Sequence, residues 1–253
     1  MAKSFVFLLL FFPLVFLSGS DDPDLNLLSG RFEPKQRSEF TQVPESIGTR
    51  PGLYLQKQTL DAFRKMAKEA KKDGVSLYIL SATRNFTHQK SIWEAKYLGR
   101  RRVGGQNLAQ TTPDGRSRSL TILKYSSMPG TSRHHWGTDL DISFLHENVG
   151  SMLNNSSFEH GQGLKVYYWM SKNAYKYGFC QPYRQTPRER SKGAYEHGYL
   201  EEKWHWSYYP LARELTKKYS NYKDSLLPSG FAGSEFGKEF YLQYVLNVAA
   251  ECK

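Results

Sequence analysis

The segment Thr138 to Leu145, TDLDISFL, alternates polar and apolar residues. A period of two marks a strand with one face in a core. Leu140, Ile142 and Phe144 fall on one side; Asp139, Asp141 and Ser143 fall on the other. A half-buried strand is expected, and Asp141 constrains what surrounds it. An inward carboxylate is reasonable when it binds a cation, because an unpaired buried charge is costly.

Two histidines lie where further ligands are needed. His134 stands at the entry to this strand, beside Gly137, and His205 lies between Trp204 and Trp206 in a second predicted strand, Glu202 to Tyr209. Catalytic zinc takes three protein ligands from His and Asp or Glu and keeps the fourth position open. His134, Asp141 and His205 supply such a set, and two imidazoles with one carboxylate suit Zn2+ best among divalent ions. Strict alternation would place Glu202 and His205 on opposite faces, so a bend or bulge is expected at Glu202. His135 is turned away from His134 by the same alternation. His88, His146 and His160 have no partner spacing and read as surface positions; His197, just before the second motif, reads as a surface-loop residue, with a place in the groove as the alternative.

Around these segments the chain reads as alternating helices and strands. Leu60, Phe63, Met66, Ala67 and Ala70 share one face of a helix over Thr59–Lys72, ended by Gly74. A strand, VSLYILSAT, follows, then a helix capped by Thr87. Residues 98–131 read as a long excursion with a basic start. A third helix covers Lys165–Tyr177 and stops at Gly178; two more cover Leu211–Tyr219 and Phe240–Ala250. This order points to an α+β fold rather than a βαβ series.

The first residues read as a leader. Lys3 precedes the apolar run Phe5 to Leu17, which Pro13 breaks, and the small residues Ser18, Gly19 and Ser20 follow. This is the pattern of a secretory signal cleaved near Ser20. The run is shorter than the ~20 residues a spanning helix needs, so no membrane span is expected after cleavage. Export to the periplasm or cell wall is expected. The formal charge of +11 favours an anionic partner, and export sets nucleic acid aside. An oxidising compartment permits a disulfide between Cys180 and Cys252; the alternative is two free thiols.

Taken together, the motifs resemble a known family. SRHHWGTDLD is similar to the S-x-H-x-x-G-x-x-x-D motif, and EKWH to the E-x-W-H motif, of the LAS metallopeptidases, which include the VanY-like D-alanyl-D-alanine carboxypeptidases and share their fold with the hedgehog signalling domain. Upstream, SATRNFTHQ resembles the family's S-G-x-R-x-x-x-x-Q segment, with Ala82 in place of glycine. Where the family often has alanine two residues before the Asp ligand, this chain has Asp139. The likeness covers roughly residues 56–210. It implies a small antiparallel sheet carrying the zinc site, flanked by helices.

The resemblance also implies roles. His134, Asp141 and His205 would bind Zn2+; Glu202 would act as base and then acid; Arg84 would stabilise the oxyanion or hold a substrate carboxylate. Ser132 and Gln89 would contact substrate. Beside the resemblance, Trp136, Trp204 and Trp206 read either as a substrate wall, with Trp204 the candidate contact, or as core packing. The implied organisation is a leader over 1–20, an N-terminal arm over 21–55, a zinc peptidase domain over 56–210 and a C-terminal helical extension over 211–253. The implied substrates are peptidoglycan stem peptides, with loss of the terminal D-alanine as the first expectation. An endopeptidase is the second, and a non-catalytic zinc-containing wall-binding module the third.

Overall fold

The computed structural model describes residues 23–147 and 152–253; the expected leader, 1–20, lies outside them. The stretch read as an irregular arm contains a helix, α1 (Pro23–Ser29), and an antiparallel pair, β1 (Phe40–Gln42) and β2 (Tyr54–Gln56). Burial explains their order. Leu27, Leu28 and Phe40 pack with Trp136, Leu215 and Tyr219, and each large apolar side chain so buried contributes ~1.5–3 kcal/mol.

Helix α2 (Lys57–Lys72) buries Leu60, Phe63, Met66 and Ala70, the stripe its sequence period predicts. Strand β3 (Tyr78–Ser81) follows, then α3 (Phe86–Tyr97). The N-cap of α3 is Asn85, not Thr87: the Asn85 side chain accepts from the His88 amide at 2.8 Å. The 98–131 excursion contains two helices, α4 (Leu108–Thr111) and α5 (Gly115–Leu123), capped by Asn107 and Asp114.

Strand β4 (Asp139–Ser143) is buried on both faces rather than half-buried. Leu140 and Ile142 enter the main core with α2 and with Val166 and Met170, which lie on α6 (Gly161–Asn173). The polar face is covered too, because its carboxylates have partners there. A single 3-10 turn, Ala174–Tyr177, carries α6 to Gly178, whose φ of +80° ends it. Strand β5 (Phe179–Cys180), helix α7 (Pro187–Arg190) and strand β6 (His205–Tyr208) come next. Helices α8 (Tyr209–Asn221) and α9 (Gly237–Leu246) complete the chain.

The four-stranded sheet has the order β3-β4-β6-β5 and is antiparallel throughout. This is an α+β fold with a small antiparallel sheet between helices. Asp141 pairs directly with His205 across the two central strands. Cys180 and Cys252 form a disulfide that ties the chain end to the edge strand β5. Among the described residues no helix is long and apolar enough to cross a membrane.

Candidate active site

His134 sits in a 3-10 turn, Arg133–Trp136, between β3 and β4. Gly137 closes this turn with φ of +70°, and a Cβ there would lie 2.3 Å from the Phe40 ring. Glycine is thus required both by backbone and by space. The turn fixes the ring of His134: its Nδ1 donates to the Ala82 carbonyl at 2.9 Å, which leaves the Nε2 lone pair free. That atom is buried and makes no hydrogen bond.

Asp141 Oδ1 is also buried without a hydrogen bond. It lies 3.4 Å from His134 Nε2 and 3.4 Å from His205 Nδ1. Tetrahedral coordination with arms of 2.0–2.1 Å separates ligand atoms by about 3.3 Å. All three candidate atoms fall within 4.8 Å of one another. Two orphaned buried atoms, two imidazoles and one carboxylate at this spacing fit Zn2+.

The turn at Glu202 brings a fourth group in. The His205 amide donates to the Glu202 carbonyl at 3.3 Å, so the strand predicted from Glu202 begins only at His205. That bend puts Glu202 Oε2 3.3 Å from His205 Nδ1, on the same side as the ligands. Trp204 lines the adjoining cleft, whereas Trp136 and Trp206 are core residues.

Behind the ligands lies a polar cluster that sequence reasoning did not find. His205 Nε2 is 3.0 Å from Asp139 Oδ1. Asp139 also accepts from Arg133 Nε at 3.0 Å, Thr138 Oγ1 at 2.7 Å and Ser207 Oγ at 2.9 Å. Arg133 donates onward to Thr216 at 3.0 Å and Ser207 at 3.1 Å. Burial works against the Asp139 charge, but Arg133, His205 and Thr138 together hold its carboxyl well below the usual range. An ionised Asp139 only accepts, so His205 Nε2 carries the proton. This is the carboxylate–histidine pairing that orients metal ligands. Its one visible signal was the carboxylate at the position where the family often has alanine.

Two residues expected at the substrate are placed elsewhere. Ser132 is 1% exposed and its Oγ caps the turn by accepting from the His134 amide at 3.3 Å. Gln89 is fully buried and donates to the Ser127 carbonyl at 2.7 Å. Neither lines the cleft. His135 supports Arg84 from behind: Nδ1 donates to the Arg84 carbonyl at 2.6 Å and Nε2 accepts from the Gly130 amide at 3.0 Å.

The ligands line a cleft of about 650 Å³ together with Arg84, His88, Lys96, Leu200, Glu201 and Trp204. A side recess of about 30 Å³ opens beside them, lined by Arg84, Ser127, Tyr183, Tyr199 and Glu202. That is room for about one water-sized group. The Arg84 Nε is buried with no hydrogen-bond partner.

Comparison with known proteins follows the same lines. Residues 52–211 match the family model VanY, described as D-alanyl-D-alanine carboxypeptidase. The putative carboxypeptidase YodJ of Bacillus subtilis is 29% identical over 185 residues, 72% of this chain and 56% of its own length. A D-alanyl-D-alanine carboxypeptidase of Enterococcus faecalis is 27% identical over 164 residues, 65% of this chain and 48% of its own. The chain thus spans about half the length of these relatives. The solved structure of VanYB in complex with D-alanine-D-alanine superposes with a TM-score of 0.50 at 20% identity, covering 79% of this chain and 88% of that one; the two share a fold.

Proposed function

The chain belongs to the VanY family of D-alanyl-D-alanine carboxypeptidases, and from that premise we propose that it removes the terminal D-alanine from peptidoglycan stem peptides with Zn2+ held by His134, Asp141 and His205. The observation that carries this is the convergence of three ligand atoms and one further carboxylate in an open cleft. A binding module would have no use for Glu202 in that position.

When bound, Zn2+ supplies Lewis-acid polarisation of the scissile carbonyl and lowers the pKa of water to about 7. Glu202 accepts the proton of the attacking water and delivers it to the leaving amine. Arg84 pairs with the terminal carboxylate of the substrate, which gives its orphaned Nε a partner. The adjoining recess suits a side chain no larger than a methyl group. Asp139 keeps His205 in the tautomer that presents Nδ1 to the site. The disulfide and the leader-like N-terminus support export to the periplasm or cell wall.

Mass spectrometry of a stem pentapeptide incubated with the zinc-loaded protein tests this reading. Loss of one alanine, absent with Glu202→Ala, is the expected result. Release of a larger fragment would make the protein an endopeptidase, and an intact peptide and cross-link would leave it a binding module.

A further inference from the structure

Lys96 is only 8% exposed, yet its ammonium meets no carboxylate; its partner is the Ser126 hydroxyl. A buried ammonium normally has a counter-charge. Here its charged neighbours make matters worse. Burial, Arg101 and Arg84 all push the Lys96 pKa down, to about 8, and only Glu202 opposes them.

Lys96 belongs to a larger pattern. His88, Ile92 and Lys96 recur every four residues along α3 and line the cleft from one side. Arg50, Arg101 and Lys124 line it as well. Among the described residues none of Arg50, Arg84, Lys96, Arg101 or Lys124 forms an ion pair with a carboxylate, although surface ion pairs occur elsewhere. Of the cleft acids Asp141, Glu201 and Glu202, the first and last are committed to the ligand site, and Glu201 forms no ion pair with any of these cations. A single terminal carboxylate on Arg84 would leave the rest of them uncompensated.

We propose that Lys96, assisted by Arg101, forms a subsite for a second carboxylate of the substrate, so that the protein selects peptides bearing a free acidic group upstream of the scissile bond. The proposal rests on the peptidase reading for the direction in which substrate lies. The chemistry is that of a charge-assisted hydrogen bond in a mostly desolvated site, which outweighs its neutral counterpart. A carboxamide in the same place would accept a hydrogen bond but bring no counter-charge to the buried ammonium.

The test is a set of acetylated peptides ending in D-Ala-D-Ala, with either Glu or Gln at each of the three preceding residues in turn. Calorimetric affinities are measured on the zinc-loaded Glu202→Gln protein, which holds substrate without turning it over. At one position at least, Glu should bind about tenfold tighter than Gln. Adding Lys96→Met should abolish that preference while leaving the Gln peptide's affinity within about twofold. Adding Arg101→Gln, at an exposed position where folding is not at risk, should reduce the preference. Equal binding of Glu and Gln peptides at every position overturns the proposal. So does an intact preference in Lys96→Met, or an equal loss for both peptides, which would place Lys96 on the terminal carboxylate. Alanine release by the wild-type protein, measured in parallel, judges the peptidase reading separately.

Discussion

His205 holds Asp139 across 3.0 Å through Nε2, the ring nitrogen that faces away from the other ligands. Asp139 therefore decides which nitrogen His205 offers to a metal, and it also neutralises Arg133, with which it shares a fully buried ion pair. The two duties are separable. Asp139→Ala should cost ~3–5 kcal/mol, because it strands a buried guanidinium, and should weaken zinc binding ~10–100-fold. The double variant Asp139→Ala/Arg133→Met should recover most of the stability but none of the affinity. Urea unfolding and competition with a zinc indicator read the two effects. Recovery of affinity in the double variant would show that Asp139 acts only through Arg133.

The proposed mechanism gives Glu202 a part in the chemistry and none in holding the cation. Three ligand atoms remain when its side chain is cut back. Glu202→Ala should retain one zinc per chain and lose ~10²–10⁴ in kcat, the range for a positioned acid–base group. Metal content by atomic absorption beside alanine release checks both halves. Loss of zinc in this variant would recast Glu202 as a ligand.

Zinc binding should release a proton at neutral pH. In the metal-free protein, burial opposes the charge on His205, but the carboxylates of Asp139, Asp141 and Glu202 around the ring outweigh it and push its pKa well above the ordinary value. A cation at Nδ1 displaces that proton, so affinity falls as pH falls. The stability of the metal-free fold follows the raised pKa. The His205 contribution is fully present below the unfolded value of ~6.5 and is lost as pH rises through the folded value. His134 has the opposite sign: burial and Arg84 lower its pKa to about 4, so it destabilises the fold as pH drops below ~6.5. Calorimetry of zinc binding at pH 7 in buffers of different ionisation enthalpy should give about one proton released. No release would mean that His205 is neutral before the metal arrives.

The sequence carried the ligands farther than their surroundings, for physical reasons. His134 and Asp141 lie seven positions apart in one turn and strand, so local spacing constrains their geometry. The carboxylates of β4 also showed on one face by alternation alone. Asp139 was legible only as an odd residue, since its partner His205 comes from 66 positions away and no local period encodes that pairing. Gln89 and Ser132 read as substrate contacts because they are polar residues at motif positions. Their amide and hydroxyl instead serve backbone groups, a difference invisible without the tertiary fold. The order of residues 23–56 was likewise hidden, because a few isolated apolar anchors such as Leu28 and Phe40 leave no periodic trace.

Gly137 tests how tightly the ligand turn is specified. Gly137→Ala would place a methyl 2.3 Å from Phe40 and 3.1 Å from Gln56, at φ of +70°. Gln56 holds the same turn through the Trp136 carbonyl, 2.7 Å from its amide. Strain and overpacking each cost ~1–3 kcal/mol, and relief requires moving the loop that carries His134. The variant should therefore lose both thermal stability and zinc affinity, whereas Gly74→Ala, with open space around its Cβ, should lose only some stability. Equal zinc affinity in the two variants would show that the turn adapts without moving its ligand.

The disulfide stabilises the same sheet from its edge. Cys180 and Cys252 are 72 positions apart, and cross-linking a loop of that length removes about 4 kcal/mol of unfolded-chain freedom in the entropy model. Cys180 also pairs with Ser207 on β6, and the Ser207 hydroxyl donates to Asp139. Most of the effect nevertheless acts on the unfolded chain. Cys252→Ser should lower the urea midpoint by an amount equivalent to ~2–5 kcal/mol while the folded variant keeps its zinc affinity. Unfolding of the wild type in reducing buffer should match the variant, because both remove the same link. A fall in zinc affinity that tracks the loss of stability would instead show that the bridge holds β5 against β6 in the native state and so reaches His205 through the strand it borders.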